Sequence, residues 1–216
     1  MRKTAILSFI AMVAGILLLH GASAAQIETD IGAGMRVDFT LVYDSMDLAL
    51  ETWQQSEPPD SVKLEAYRVA SGFLSGITFH YERNRDRLMI HEQVESVPDE
   101  MEFQGMTLSA DDVYCFDYAI WVPEDHYADA CSGQSYQGHG ASELERTGQA
   151  RREARREAFE HVIRQALRSE YTEQNEQIPG TVDGKLIWYE IQRDERDFES
   201  GFYVFDITAW VTIPED

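Results

Sequence analysis

Between residues 143 and 171 the chain reads ELERTGQARREARREAFEHVIRQALRSEY, and Ala150, Ala154, Ala158 and Ala166, with Val162, recur there every four residues. On a helix of about 3.6 residues per turn that interval stacks small side chains into one ridge, which predicts a long helix seated through its alanines. Seven arginines share the stretch, at 146, 151, 152, 155, 156, 164 and 168. At about 100° per residue, Arg151 and Arg155 fall near the sector of Ala154 and Ala158, whereas Arg152 and Arg156 point away. Arg151 is therefore expected to cross the helix–sheet seam and pair with an acidic strand residue, Asp117 or Asp206. The other arginines are expected on a solvated face, where Arg156–Glu160 and Glu160–Arg164 make i,i+4 pairs of about 0.3–0.5 kcal/mol each.

Those arginines stand out because the rest of the chain is acidic. The 216 residues hold 18 Lys and Arg against 39 Asp and Glu, a net charge of −21. Without Arg2 and Lys3 the net is −23, and outside residues 143–171 it is −24, from 9 basic and 33 acidic residues. A surface of that sign repels nucleic acid and anionic lipid, which removes both as partners. It also leaves Arg152 and Arg156 as the natural contact for an acidic partner or a second copy of the chain.

The first 24 residues read as a signal peptide. Arg2 and Lys3 precede an apolar run at 5–19, and Ala22-Ser23-Ala24 supplies the small-x-small cleavage site. The run is short of the roughly 20 residues a spanning helix needs, and no cysteine lies near the cut for lipid attachment. The mature chain is expected to begin at Ala25 or Gln26 and to be periplasmic or secreted, without stable membrane insertion. Cys115 and Cys131 would then meet an oxidising compartment, where a bridge closing about 15 residues contributes roughly 3 kcal/mol. The alternative is two thiols. With no C-x-x-C spacing, neither a thioredoxin-like centre nor a zinc knuckle is indicated.

Alternation of Val37, Phe39, Leu41 and Tyr43 with polar residues marks a strand at 35–43. Asp44 or Ser45 caps a short helix through Trp53, and Pro58-Pro59 ends that pattern. A second helix starts at Asp60 or Ser61, with Val62, Ala66, Val69, Ala70, Phe73, Leu74 and Ile77 at helical spacing. Strands are expected at 77–81 and 88–94, then a long acidic loop at 95–112. The acids around Asp99, with Asp111 and Asp112, lack the D-x-D-x-D-G order of a calcium loop. Residues 113–122 form the strongest strand of the first half, apolar on both faces. After a short strand or approach at 135–139 comes the long helix, then strands at 185–192 and 202–213 joined by a hairpin at 193–201.

The two halves echo each other. Tyr114-x-Phe116-Asp117-x-x-x-Trp121-Val122 and Tyr203-x-Phe205-Asp206-x-x-x-Trp210-Val211 share five residues at identical spacing, and Pro-Glu-Asp follows each. Upstream, residues 87–92 match 185–190 in character. A strand-helix-strand-strand unit used twice predicts an α+β fold, with a mostly antiparallel sheet carrying its helices on one face. The domain reading is 25–133 for the first unit and 134–216 for the second.

From Gly138-x-Gly140 through Ala150-Arg151-x-x-Ala154-x-x-x-Ala158 and the two strands that follow, the chain resembles the N-terminal domain of flagellar assembly protein T. It also resembles the small outer-membrane lipoproteins that share this layout. The resemblance covers residues 135–213, and the first half joins it only through the internal repeat. It implies a periplasmic or outer-membrane-associated structural role, in the flagellar case stabilising a ring around the motor. The further domains of the flagellar proteins and the acylated cysteine of the lipoproteins are not found in this sequence.

No catalytic constellation emerges. No serine sits in G-x-S-x-G, and there is neither H-E-x-x-H nor a phosphate-cradling glycine loop. His139, between Gly138 and Gly140, is a candidate catalytic or metal-binding histidine, although such a residue more often simply occupies a turn. His91, His126 and His161 show no i,i+4 pairing, and His91 and Glu92 fall on opposite faces of a strand. The chain therefore reads as an exported, non-enzymatic envelope protein without cofactor or metal. It would act by protein–protein contact, in assembly or stabilisation of a surface structure such as the flagellar motor. The alternative is a periplasmic small-ligand-binding module whose pocket, between helix and sheet, is lined by Trp188, Tyr189, Tyr203 and Trp210.

Overall fold

The computed structural model describes residues 28–30, 34–92, 101–109, 113–124, 131, 133–173 and 177–214. The signal-peptide reading at 1–24, the acids at 99 and 111–112, and His126 lie outside the described residues.

Period-two alternation builds the first sheet. β2 (Gly34–Tyr43) buries Val37, Phe39 and Leu41 and leaves Arg36, Asp38 and Thr40 on its other face. It pairs antiparallel with β1 (Glu28–Asp30) and with β6 (Tyr114–Pro123), and β5 (Glu102–Leu108) completes the order β1-β2-β6-β5. The stretch 95–112 is thus not loop throughout, because it contains β5. A bulge between Phe103 and Gly105 breaks the alternation that would have marked that strand in the sequence.

The second sheet has the order β4-β3-β8-β9-β7, from β3 (Ile77–Glu82), β4 (Arg87–His91), β7 (Ser135–Ser142), β8 (Thr181–Arg196) and β9 (Tyr203–Thr212). Every described pairing in both sheets is antiparallel. With the helices α1 (Met46–Gln55), α2 (Asp60–Ser75) and α3 (Thr147–Glu173), the fold is α+β. Phe73 of α2 stacks on Tyr189 of β8 with ring centroids 4.6 Å apart, and meets Phe39 of β2 at 6.2 Å. One aromatic ring therefore ties the two sheets into a continuous core.

Both sheets use the same pairing scheme. β6 lies between β2 and β5, and β9 lies between β7 and β8. Tyr43 pairs with Tyr114 where Ser142 pairs with Tyr203, and Glu102 pairs with Ala119 where Glu190 pairs with Thr208. The corresponding units are therefore β2-α2-β5-β6 and β7-α3-β8-β9. The β3–β4 hairpin is inserted into the first unit but hydrogen-bonds to β8 of the second. This corrects the match of residues 87–92 with 185–190: the counterpart of β8 is β5, and β4 is an edge strand that shares only an amphipathic pattern with β8.

The alanine ridge finds its seat on β7. Ala150, Ala154 and Ala158 are fully buried, and the facing positions of β7 are Gly138 and Gly140. A Cβ at Gly138 would lie 2.6 Å from the Ala158 carbonyl oxygen, and one at Gly140 would fall on that of Ala154. The register places Phe39 and Leu41 at the corresponding points of β2. Glycine there lets the helix backbone approach the strand backbone, so small residues are required on both partners. Further along α3 the spacing opens, and Ile163 and Leu167 pack with Phe79, Tyr81 and Val182 of β3 and β8.

Candidate partner-binding groove

Arg151 crosses the seam as its helical phase dictates, and its partner is Asp194. Nε donates to both carboxylate oxygens at 2.9 Å, and Nη2 donates to Oδ2 at 2.5 Å. The Tyr203 hydroxyl donates to Asp194 Oδ1 at 2.7 Å. The two charged side chains are only 13% and 9% exposed. Burial alone would lower the pKa of Arg151, but the charge and hydrogen bonds of Asp194 more than offset it and hold the guanidinium charged.

Asp117 and Asp206, the expected partners, are elsewhere. β6 and β9 alternate, so each aspartate lies on the face opposite its buried neighbours, Phe116 in one strand and Phe205 with Ile207 in the other. Each instead bonds to the residue directly across the ladder. Thr40 Oγ1 donates to Asp117 at 2.6 Å, and His139 Nδ1 lies 2.6 Å from Asp206. Asp194 escaped notice because 193–201 reads as a polar hairpin. In fact β8 continues to Arg196, and Asp194 pairs with the buried Phe205, so both side chains face the helix.

The expectation that the remaining arginines are solvated needs two further corrections. Arg155 pairs with Glu92, just beyond β4, at 2.9 Å, and Arg164 pairs with Asp86, in the β3–β4 turn, at 2.5 Å. Both reach down from α3 to hold the inserted hairpin, so Arg164 is spent there and not on Glu160. Arg155 also stacks over Phe159 at 4.8 Å, and its Nη2 is buried without a hydrogen-bond partner among the described residues. Arg156–Glu160 is the helical pair that does form, at a long 3.8 Å and largely in solvent. Arg152 is exposed and has no ion-pair partner among the described residues.

These side chains frame a groove of about 560 Å³ between α3, α2 and the edge strand β4. Arg152, Arg155, Arg156 and Phe159 form the α3 wall, Glu65 and Arg68 the α2 wall, and Leu88, Ile90 and Glu92 the floor. Four arginines face three glutamates, because Glu160 also lines the groove, in a protein whose overall charge is −21. Beside it, where α3 meets the sheet at Arg151, Tyr189 and Phe205, the cavity shrinks to about 30 Å³, room for roughly one water.

Compared with protein-family models, curated proteins and solved structures, the chain matches none.

Trp188, Tyr189 and Tyr203 are 1–5% exposed and belong to the core, against which Trp210 packs partly buried. No disulfide joins Cys115 and Cys131. Cys115 lies within electrostatic reach of Tyr203, and Cys131 within that of Glu190, whose β9 partner is Thr208. Cys115 is a residue of β6, paired with Val42 and Thr107 in the first sheet, and Cys131 packs partly buried against the core. His139 lies in β7 rather than in a turn, and its N–H donates to His161 Nδ1 at 3.3 Å. Among the described residues, no group of three His, Cys, Asp or Glu side chains could hold a metal ion, and no helix is long and apolar enough to cross a membrane.

Proposed function

We propose that this chain is an exported, non-enzymatic protein of the cell envelope that works by protein–protein contact through the arginine-lined groove. The observation that carries the reading is the division of labour along α3. Arg151, Arg155 and Arg164 are spent on Asp194, Glu92 and Asp86, while Arg152 and Arg156 project into the groove with no strong partner. Two weakly compensated guanidiniums on a strongly acidic protein attract a complementary acidic surface and orient it on approach. Assembly or stabilisation of a surface structure such as the flagellar motor is the setting we propose, on the strength of the resemblance at residues 135–213.

The test is the double charge reversal Arg152→Glu with Arg156→Glu. Both side chains are exposed, so the fold should survive, as circular dichroism would report. Self-association by sedimentation, or cross-linking to an envelope partner in cells, should be lost. Unchanged association would sink the proposal. Cell fractionation tests the compartment, and recovery of unprocessed protein from the cytoplasm would count against it.

A further inference from the structure

Among the described residues the two sheets have four edge strands, and they are not equivalent. An edge offers unpaired N–H and C=O groups to any extended chain, so folded proteins shorten, kink or cover it. β1 has only three residues, and β5 carries the bulge at Phe103–Gly105. On β7 the side chains of α3 cover the edge: His139 N–H donates to His161 Nδ1 and Ala141 N–H to Glu157 Oε2, at 3.3 and 3.0 Å. β4 has none of these protections among the described residues. It runs for five residues without a bulge and, among the described residues, pairs with β3 alone and has no side chain capping its outer N–H groups.

That open edge forms the floor of the groove. In the ladder Leu88 pairs with Tyr81 and Ile90 with Phe79, so both face α3 and pack against the smaller core cluster. A strand laid beside β4 would lie beneath the overhanging walls of α3 and α2. Its alternate side chains would point at Arg68, Arg152, Arg156 and Phe159, and the others at solvent.

We infer that the groove takes its partner as an extended acidic segment that adds to β4 as an antiparallel or parallel sixth strand. Backbone hydrogen bonds to β4 supply affinity, and carboxylates at alternate positions supply selectivity through Arg152, Arg156 and Arg68. Arg68 lies 3.2 Å from Glu65 in an exposed i,i+3 pair, which an incoming carboxylate can displace at little cost. The inference rests on the groove being the contact surface and adds the form of the partner: a strand, with acid on every second residue.

The probe is a ten-residue peptide alternating Glu with Val, titrated by fluorescence anisotropy into the purified full chain. Two controls accompany it: the same peptide N-methylated at alternate backbone amides, and a Lys–Val peptide. The Glu–Val peptide should bind, and N-methylation along the edge facing β4 should weaken it about tenfold or more by removing strand hydrogen bonds. Because either set of alternate amides could face β4, both methylation registers are made, and at least one must lose affinity. The Lys–Val peptide should not bind, and Arg152→Glu with Arg156→Glu should weaken the Glu–Val peptide at least as much as methylation does. Affinity of both methylated peptides undiminished from that of the unmethylated one would overturn strand addition while leaving the charge-based contact intact. Failure of the Glu–Val peptide to bind would likewise overturn it, and the self-association or cross-linking assay reads the contact surface independently. Equal binding of the Lys–Val peptide would remove the acidic requirement.

Discussion

Arg151 and Asp194 meet side-on across the helix–sheet seam, with Nε and Nη2 of the guanidinium both engaged and Tyr203 completing the carboxylate's shell. Breaking such a buried pair leaves an uncompensated charge. Asp194→Ala should therefore cost about 3–5 kcal/mol, measured as a fall in the urea midpoint at unchanged slope. Tyr203→Phe removes one hydrogen bond to a charged group and should cost about 1.5–3 kcal/mol. Replacing the pair together, Arg151→Met with Asp194→Leu, should restore most of the loss, because neither charge is then stranded. If Asp194→Ala is as stable as the parent, the pair does not hold the helix.

The contact between β7 and α3 makes a sharper steric prediction. Gly140→Ala would place a methyl on the Ala154 carbonyl oxygen, with backbone on both sides and no flexible side chain to yield. The expected loss is about 3 kcal/mol or more, at the upper end of overpacking costs, with Gly138→Ala close behind. Gly180→Ala is the control: nothing lies within 4 Å of its added Cβ, so stability should change by less than about 0.5 kcal/mol. Chemical denaturation of the three variants decides it.

What the sequence disclosed depended on periodicity. The four-residue alanine ridge and the alternation in 35–43 each specify one face of one element, and those elements are α3 and β2. The phase of Arg151 placed it at the seam for the same reason. Its partner was not legible, since 193–201 reads as a polar hairpin and it is the register shift at Ile191–Arg193 that puts Asp194 on the face of Tyr189 and Ile191. Such a shift moves the following residues to the opposite face from the one that plain alternation gives. β5 was hidden by a bulge as well, and the crossover of β3–β4 to the second sheet is a pairing between residues about a hundred positions apart. The groove inherits that limit: Arg152 and Arg156 could be read from helical phase, but its floor at Leu88 and Ile90 exists only because the hairpin crosses over.

The thiols give a simple check on the bridge. With no disulfide between Cys115 and Cys131, the purified chain should titrate two thiols per molecule once unfolded without reductant. Added reductant should then leave the melting temperature unchanged. Burial and the nearby Glu190 push the Cys131 thiol up, which slows its reaction in the folded state. Fewer than two thiols in the unreduced chain, with a melting temperature that falls on reduction, would restore the bridge.

Alkaline pH links the core to the groove through Tyr43. Its hydroxyl is pushed up to about 12, chiefly by burial and then by the charge of Glu65, with Arg152 and Arg151 acting in the opposite direction. The unfolded value is about 10, so between roughly pH 10 and 12 the folded chain keeps a proton that the unfolded chain has lost. This contribution is fully present below pH 10 and is lost as pH rises through that window. The raised hydroxyls of Tyr118 and Tyr203 act in the same sense. Tyr43→Phe should therefore make the fall in stability between pH 10 and 12 shallower and remove one step from the phenolate absorbance titration. The groove variant Arg152→Glu with Arg156→Glu should move that step to higher pH, because the cation that lowers it becomes an anion. Identical titrations for parent and groove variant would show that Arg152 does not face Tyr43, and the α3 wall of the groove would then need redrawing.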